Sequence, residues 1–135
     1  MAVELNHIIV PAHDKHASAT FLAGILGTPV GVAWGPFVPL PLSNGVTLDY
    51  LTAEQFHPQH CAFQLSDPEF DAAVERIRTA GLPYWADPFH RRPGEVDDRF
   101  GGRAVYFEDP SGHNMEILTV AAATPPAGGG RPPAS

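Results

Sequence analysis

The chain repeats itself. The segment HIIVPAHD at residues 7–14 returns as HCAFQLSD at 60–67, and GVTLDYLTA at 45–53 returns as GHNMEILTV at 112–120. A duplication constrains the fold more tightly than composition does, because both halves must build the same supersecondary unit. It also carries polar residues onto one another. His7 aligns with His60, and Asp49 aligns with Glu116. Two imidazoles and two carboxylates on one duplicated frame are what a metal site on a pseudo-twofold axis needs.

Each half reads as βαβββ. In the first, residues 5–10 form a short apolar strand, Asp14 caps a helix that places Phe21, Leu22, Ile25 and Leu26 at helical spacing, and Gly27 stops it. Residues 30–42 hold Trp34, Phe37 and three prolines, which suits edge strands joined by turns. Asn44-Gly45 then marks a tight turn into VTLDYLT. In the second half, residues 61–65 form a strand, Ser66 or Asp67 caps the helix PEFDAAVERIRTAG, and strands follow at 103–107 and 114–120 around the turn EDPSG. The later half is longer, and the added segment is DPFHRRPGEVDDRFGG at 87–102. It has no helical or alternating pattern, so it reads as a long loop of the kind that serves as a lid.

Strand alternation lets the four polar residues point one way. His7 shares a face with Ile9, and His60 with Ala62 and Gln64. Asp49 lies between Leu48 and Tyr50, and Glu116 between Met115 and Ile117, so both carboxylates oppose the greasy face. The expected fold is therefore α+β, with two modules at about 4–53 and 57–120 forming a curved mixed sheet around polar groups.

Composition bounds the function. With 135 residues, a net charge of −7 and no basic stripe, the chain is one globular domain unsuited to nucleic acid or an anionic membrane. A single cysteine, Cys61, excludes an intrachain disulfide and fits a reducing cytoplasm. No apolar run reaches the ~20 residues of a membrane span, and no secretory h-region opens the chain. Residues 121–135, AAATPPAGGGRPPAS, cannot bury enough apolar surface to order and are expected to be a flexible tail.

The motifs LNHIIVPAHD, QHCAFQLSD and GGRAVYFEDPSGHNMEIL together resemble the vicinal oxygen chelate superfamily, which includes glyoxalase I, fosfomycin resistance enzymes, type I extradiol dioxygenases and bleomycin resistance proteins. The resemblance spans nearly all of residues 4–120. It implies a glyoxalase-like pairing of modules, a divalent metal held by His7, His60 and Glu116, a small-molecule substrate chelated through its oxygens, and a homodimer with sites between subunits. That ligand set suits Fe, Mn, Co, Ni or Zn.

Departures narrow the activity. Fosfomycin enzymes carry Thr where this chain has Ile9, so fosfomycin is not the expected substrate. Extradiol dioxygenases share a Tyr ten residues before the last ligand, matched by Tyr106, but their catalytic His would fall at the Asn44-Gly45 turn. The expectation is a metal-dependent lyase or isomerase. The alternatives are a non-haem Fe(II) dioxygenase of the same fold and a resistance-type protein that sequesters its ligand. Asp49, which occupies the place of a carboxylate ligand in glyoxalase I, would ligate or move a proton, and Tyr106 would donate to a developing oxyanion. Gln64, Trp34 and Arg103 are candidate substrate contacts. Arg91, Arg92 and Arg99 have acidic neighbours and read as a self-paired loop. His13, His16, His57, His90 and His113 have no ligand-type repeat partner and read as surface or turn residues.

Overall fold

The computed structural model describes residues 2–99 and 101–120, so the tail expected at 121–135 lies outside the described residues. The chain divides into two units. Among the described residues, one comprises 2–58 with 109–112, and the other 59–99 and 101–108 with 113–120. The first half contains β1 (His7–Ala12), α1 (Lys15–Leu26), β2 (Phe37–Pro41) and β3 (Thr47–Thr52); the second contains β4 (His60–Gln64), α2 (Asp67–Thr79), β5 (Ala104–Glu108) and β6 (Asn114–Leu118). This is α+β architecture with two mixed three-stranded sheets of matching order, β1-β3-β2 and β4-β6-β5.

In each unit the first and last strands pair in parallel and the middle strand pairs antiparallel. Among the described residues the fourth strand expected per module is present only as isolated bridges, Trp34 with Phe37 in one half and Trp85 with Tyr106 in the other. Prolines at 36, 39 and 41 in the first half, and 83, 88 and 93 in the second, remove the amide donors a longer ladder requires.

The helices begin where their caps dictate. Asp14 accepts from the N–H groups of His16 and Ala17, and Gly27 closes α1 at φ 74°. For α2 the cap is Ser66, which forms a reciprocal box with Glu69. Val10, Ala12, Val38, Leu40, Leu48 and Tyr50 turn inward toward the side that α1 covers. Phe63, Val105, Phe107, Met115 and Ile117, together with Phe70, Ala73, Val74 and Ile77 of α2, make the second core. Its helix is tied to β5 by Arg103, whose guanidinium donates to Asp71 at 2.7 Å and Asp67 at 2.9 Å and lies over the Phe70 ring.

The turn at 109–112 groups with the first unit. Ser111 Oγ accepts from the His13 N–H at 3.0 Å and lies 3.1 Å from the buried Ser18 Oγ. The long segment after α2 is less featureless than its composition implies. Trp85 bridges Pro93, Asp97 bridges Ala104, and Asp87 closes the base by accepting from the N–H groups of Arg91 and Arg92 at 2.8 Å each. Burial alone would push the Asp87 carboxyl up. The N–H groups of Arg91, Arg92 and Phe89, with the Arg91 charge, outweigh it and hold the pKa below the ordinary value.

A Cβ on Gly102 would overlap the carbonyl oxygen of Thr119 and lie 2.9 Å from its carbonyl carbon, whereas one on Gly24 of α1 meets nothing within 4 Å. Gly102→Ala should therefore destabilise by ~1–3 kcal/mol, and Gly24→Ala should stabilise by ~0.5–1 kcal/mol, both read by urea unfolding. For Asp87 the folded pKa lies below the unfolded one, so its charge contributes stability above the unfolded value and loses it as pH falls through the folded value. The difference in Tm between wild type and Asp87→Asn should be constant near neutrality and shrink below about pH 4; a constant difference down to about pH 2.5 would contradict this account.

Candidate functional site

In the second unit the register sets the side chains in rows. His60, Asn114 and Glu108 stand opposite one another across β4, β6 and β5, and Ala62, Glu116 and Tyr106 form the next row on the same face. Their neighbours Cys61, Met115, Ile117, Val105 and Phe107 point to the other side, which is why a carboxylate can stand in the middle of a strand flanked by core residues. The rows bring two of the expected ligands together. His60 Nε2 lies 3.1 Å from Glu116 Oε1, with the imidazole 47% exposed and the carboxylate 13%.

The His60 ring is held from behind. Nδ1 faces the backbone carbonyl of Asn114 at 3.1 Å, which holds the ring so that Nε2 stays within hydrogen-bond reach of Glu116 Oε1. A histidine oriented by a carbonyl through one nitrogen, with the other facing a carboxylate oxygen, is the arrangement of a metal-ligating pair. Two ligands each ~2.1 Å from an ion at right angles stand ~3 Å apart. The pair thus fits a divalent cation by donor chemistry and by spacing. Tyr106, only 4% exposed, stacks on the His60 ring with centroids 5.8 Å apart.

The first unit holds the other two aligned residues. His7 is exposed on β1, and its Nδ1 is 2.7 Å from Asn6 Oδ1. Asp49 stands opposite Ile9 on β3, on the same sheet face as His7. Its carboxylate is buried, and Oδ1 has no hydrogen-bond partner among the described residues. Such an atom forfeits its hydration without replacement. Among the described residues no group of three or more His, Cys, Asp or Glu forms a metal cluster.

The remaining candidates are dispersed. Gln64 is exposed on β4, two positions beyond Ala62 on the His60 face. Trp34 is 57% exposed in the first unit, its ring 5.0 Å from that of Phe37. Arg103 is engaged by Asp71 and Asp67, and the Asp71 hydrogen bond raises its pKa.

Two histidines differ from the surface or turn role expected for them. His113 is fully buried, with Nδ1 accepting from the Gln59 N–H at 2.8 Å. His90 lies flat on Trp85, with ring centroids 3.6 Å apart and planes 4° off parallel, and its Nε2–H donates to Asn114 Oδ1 at 3.3 Å. Asn114 was legible by period two from Glu116. His90 was not, because it reaches the sheet through an irregular loop whose course no local pattern encodes.

No family model matches the chain. It is 27% identical to "Glutathione transferase FosA" of Serratia marcescens over 87% of this chain and 81% of that protein. Among solved structures it is similar to "Oxidase ChaP-H2", with 60% identity, a TM-score of 0.86, and coverage of 88% of this chain and 94% of that one. A glyoxalase/dioxygenase from Nostoc punctiforme, 24% identical with a TM-score of 0.67 over 87% and 90% of the two chains, shares the fold. Duplicated modules, parallel outer strands and these relatives lead to one assignment: the chain belongs to the vicinal oxygen chelate superfamily.

Proposed function

We propose that the chain is a metal-dependent oxidase, with His60, Glu116 and His7 as ligands to Fe(II) or Mn(II), acting on a small substrate held through its oxygens. The observation that carries the metal is the 3.1 Å approach of His60 Nε2 to Glu116 Oε1, with Nδ1 held by the Asn114 carbonyl. The likeness to an oxidase at 60% identity supports oxidative chemistry over the lyase or isomerase first expected. Ile9, where fosfomycin enzymes carry Thr, argues against a fosfomycin-directed transferase.

When bound, such a metal supplies a Lewis acid with open positions and a one-electron redox couple. The protein does the rest. The Asn114 carbonyl holds the His60 ring through Nδ1, so that Nε2 stays on the Glu116 side. Tyr106 sits in the Glu116 row and can hold a proton on a substrate oxygen. Asp49, with its unpartnered Oδ1, is the proton acceptor. Gln64 and Trp34 are the proposed substrate contacts, and Arg103 is left out because its guanidinium is committed to α2.

A homodimer is part of this reading. Val3 and Leu5, which precede β1, and Ile9 within it fall at every second position with His7 and are 95%, 62% and 48% exposed, an apolar strip that a second copy would cover. In the proposed dimer each site takes His7 from one copy and His60 with Glu116 from the other.

Mixed chains test the pairing. His7→Ala or His60→Ala alone should lose most metal by mass spectrometry. The heterodimer of the two should regain one intact site, about half the wild-type content, whereas a heterodimer without metal would show that each copy uses its own His7. Metal choice tests the chemistry. Fe(II)- or Mn(II)-loaded protein should consume oxygen with its substrate and the Ni(II) or Zn(II) form should not; turnover by the Zn(II) form without oxygen would restore the lyase reading.

A further inference from the structure

Within the second unit, one side chain reaches the site without belonging to the sheet. His90 is the one described non-glycine residue with positive φ, at 60°. An L side chain in that region is strained, and such strain persists where surrounding contacts over-determine it, characteristically at functional sites. The contacts are on hand. The imidazole stacks on Trp85 at 3.6 Å, Nε2–H donates to Asn114 Oδ1, and Nδ1 lies 3.9 Å from Glu108 Oε1. Asn114 is oriented in turn, because its Nδ2–H donates to the Pro88 carbonyl at 3.2 Å, which turns Oδ1 toward His90. The loop base is set by Asp87 on the Arg91 and Arg92 amides.

The rows show what this placement achieves. Asn114 and Glu108 continue the row of His60, and Trp85 bridges Tyr106 in the row of Glu116. His90 therefore borders the row of His60 through Asn114 and Glu108 and lies on Trp85, the backbone partner of Tyr106, on the β5 side. The β4 side, with His60, Ala62 and Gln64, is exposed. Asn114 receives His90 on its side chain and His60 on its carbonyl, so one residue carries both imidazoles.

We propose that His90 is a positioning residue of the His60–Glu116 site: the loop at 87–99 accepts a strained backbone at this one position in order to brace Asn114 and wall the site on its β5 side. The inference rests on the metal reading above and adds a residue to it. His90 is not a ligand. It acts through Asn114 on the orientation of His60 and on the approach of substrate from the β4 side alone.

The strain makes the idea testable, because a role in loop stability and a role in the site call for opposite results. Glycine is at ease at φ 60°, so His90→Gly should leave Tm unchanged or raise it by a few degrees while weakening Co(II) binding about tenfold, at the low end of losses seen when a group behind a ligand is removed. The Co(II) absorption bands should shift with it, reporting a changed ligand field. His90→Asn, which also tolerates the left-handed region, serves as a second variant, and Glu95→Gln in the same loop should bind as wild type does. Co(II) affinity and spectrum in His90→Gly equal to wild type would overturn the positioning role alone. Wild-type protein that takes up no Co(II) would overturn the metal reading and this inference with it.

Discussion

The strand β6 lies between a parallel neighbour and an antiparallel one, and its register decides what the second unit can do. With Ala62 and Tyr106 opposite Glu116, the carboxylate falls on the His60 face and Met115 and Ile117 fall into the core. A slip of one residue would bury Glu116 and expose two large apolar side chains, so hydrophobic burial on one face enforces polar convergence on the other. The site geometry is thus a by-product of core packing. The parallel pairing fixed by Phe63, Met115 and Ile117 brings His60 beside Glu116, and the contacts on Asn114 then set the angle of the ring.

Much of this was legible in the sequence, for reasons that can be named. The internal repeat exposed the modules, since both halves obey one hydrophobic pattern. Period-two alternation placed His7 with Asp49 and His60 with Glu116 on common faces, because that period is a property of the backbone and independent of neighbours. The caps at Asp14 and Gly27 were readable from local chemistry, whereas the choice between Ser66 and Asp67 needed the geometry of the Glu69 carboxylate. What could not be read depends on contacts remote in sequence. Nothing near Arg103 announces that two carboxylates on α2 will hold it, and nothing in FHRRPG announces that His90 lies against Trp85. The burial of His113 was equally hidden, since its partner is a backbone amide from the other end of the unit.

Charge is distributed to match. The arginines of the long loop are largely neutralised close to home, Arg92 by Glu95 and Arg99 by Asp97, so the loop contributes little net field to the face it borders. The groups left to act there are the ring of Tyr106 stacked on His60, the carboxylate of Glu116 and the imidazole itself. A site built this way depends on the direction of a few lone pairs more than on overall potential.

The turn at 109–112 has a consequence for the order in which the protein can be made. It joins two strands of the second unit, yet Ser111 supplies the acceptor for the His13 amide and the neighbour of the buried Ser18 hydroxyl in the first. As the chain leaves the ribosome, β1, α1, β2 and β3 are complete by residue 52, but two of their polar groups stay unanswered until residue 111 has been added. The first half therefore cannot reach its final state as a free-standing intermediate during synthesis. Its last hydrogen bonds close only when nearly all of the second half is available, which couples the maturation of two otherwise self-similar modules to a single serine.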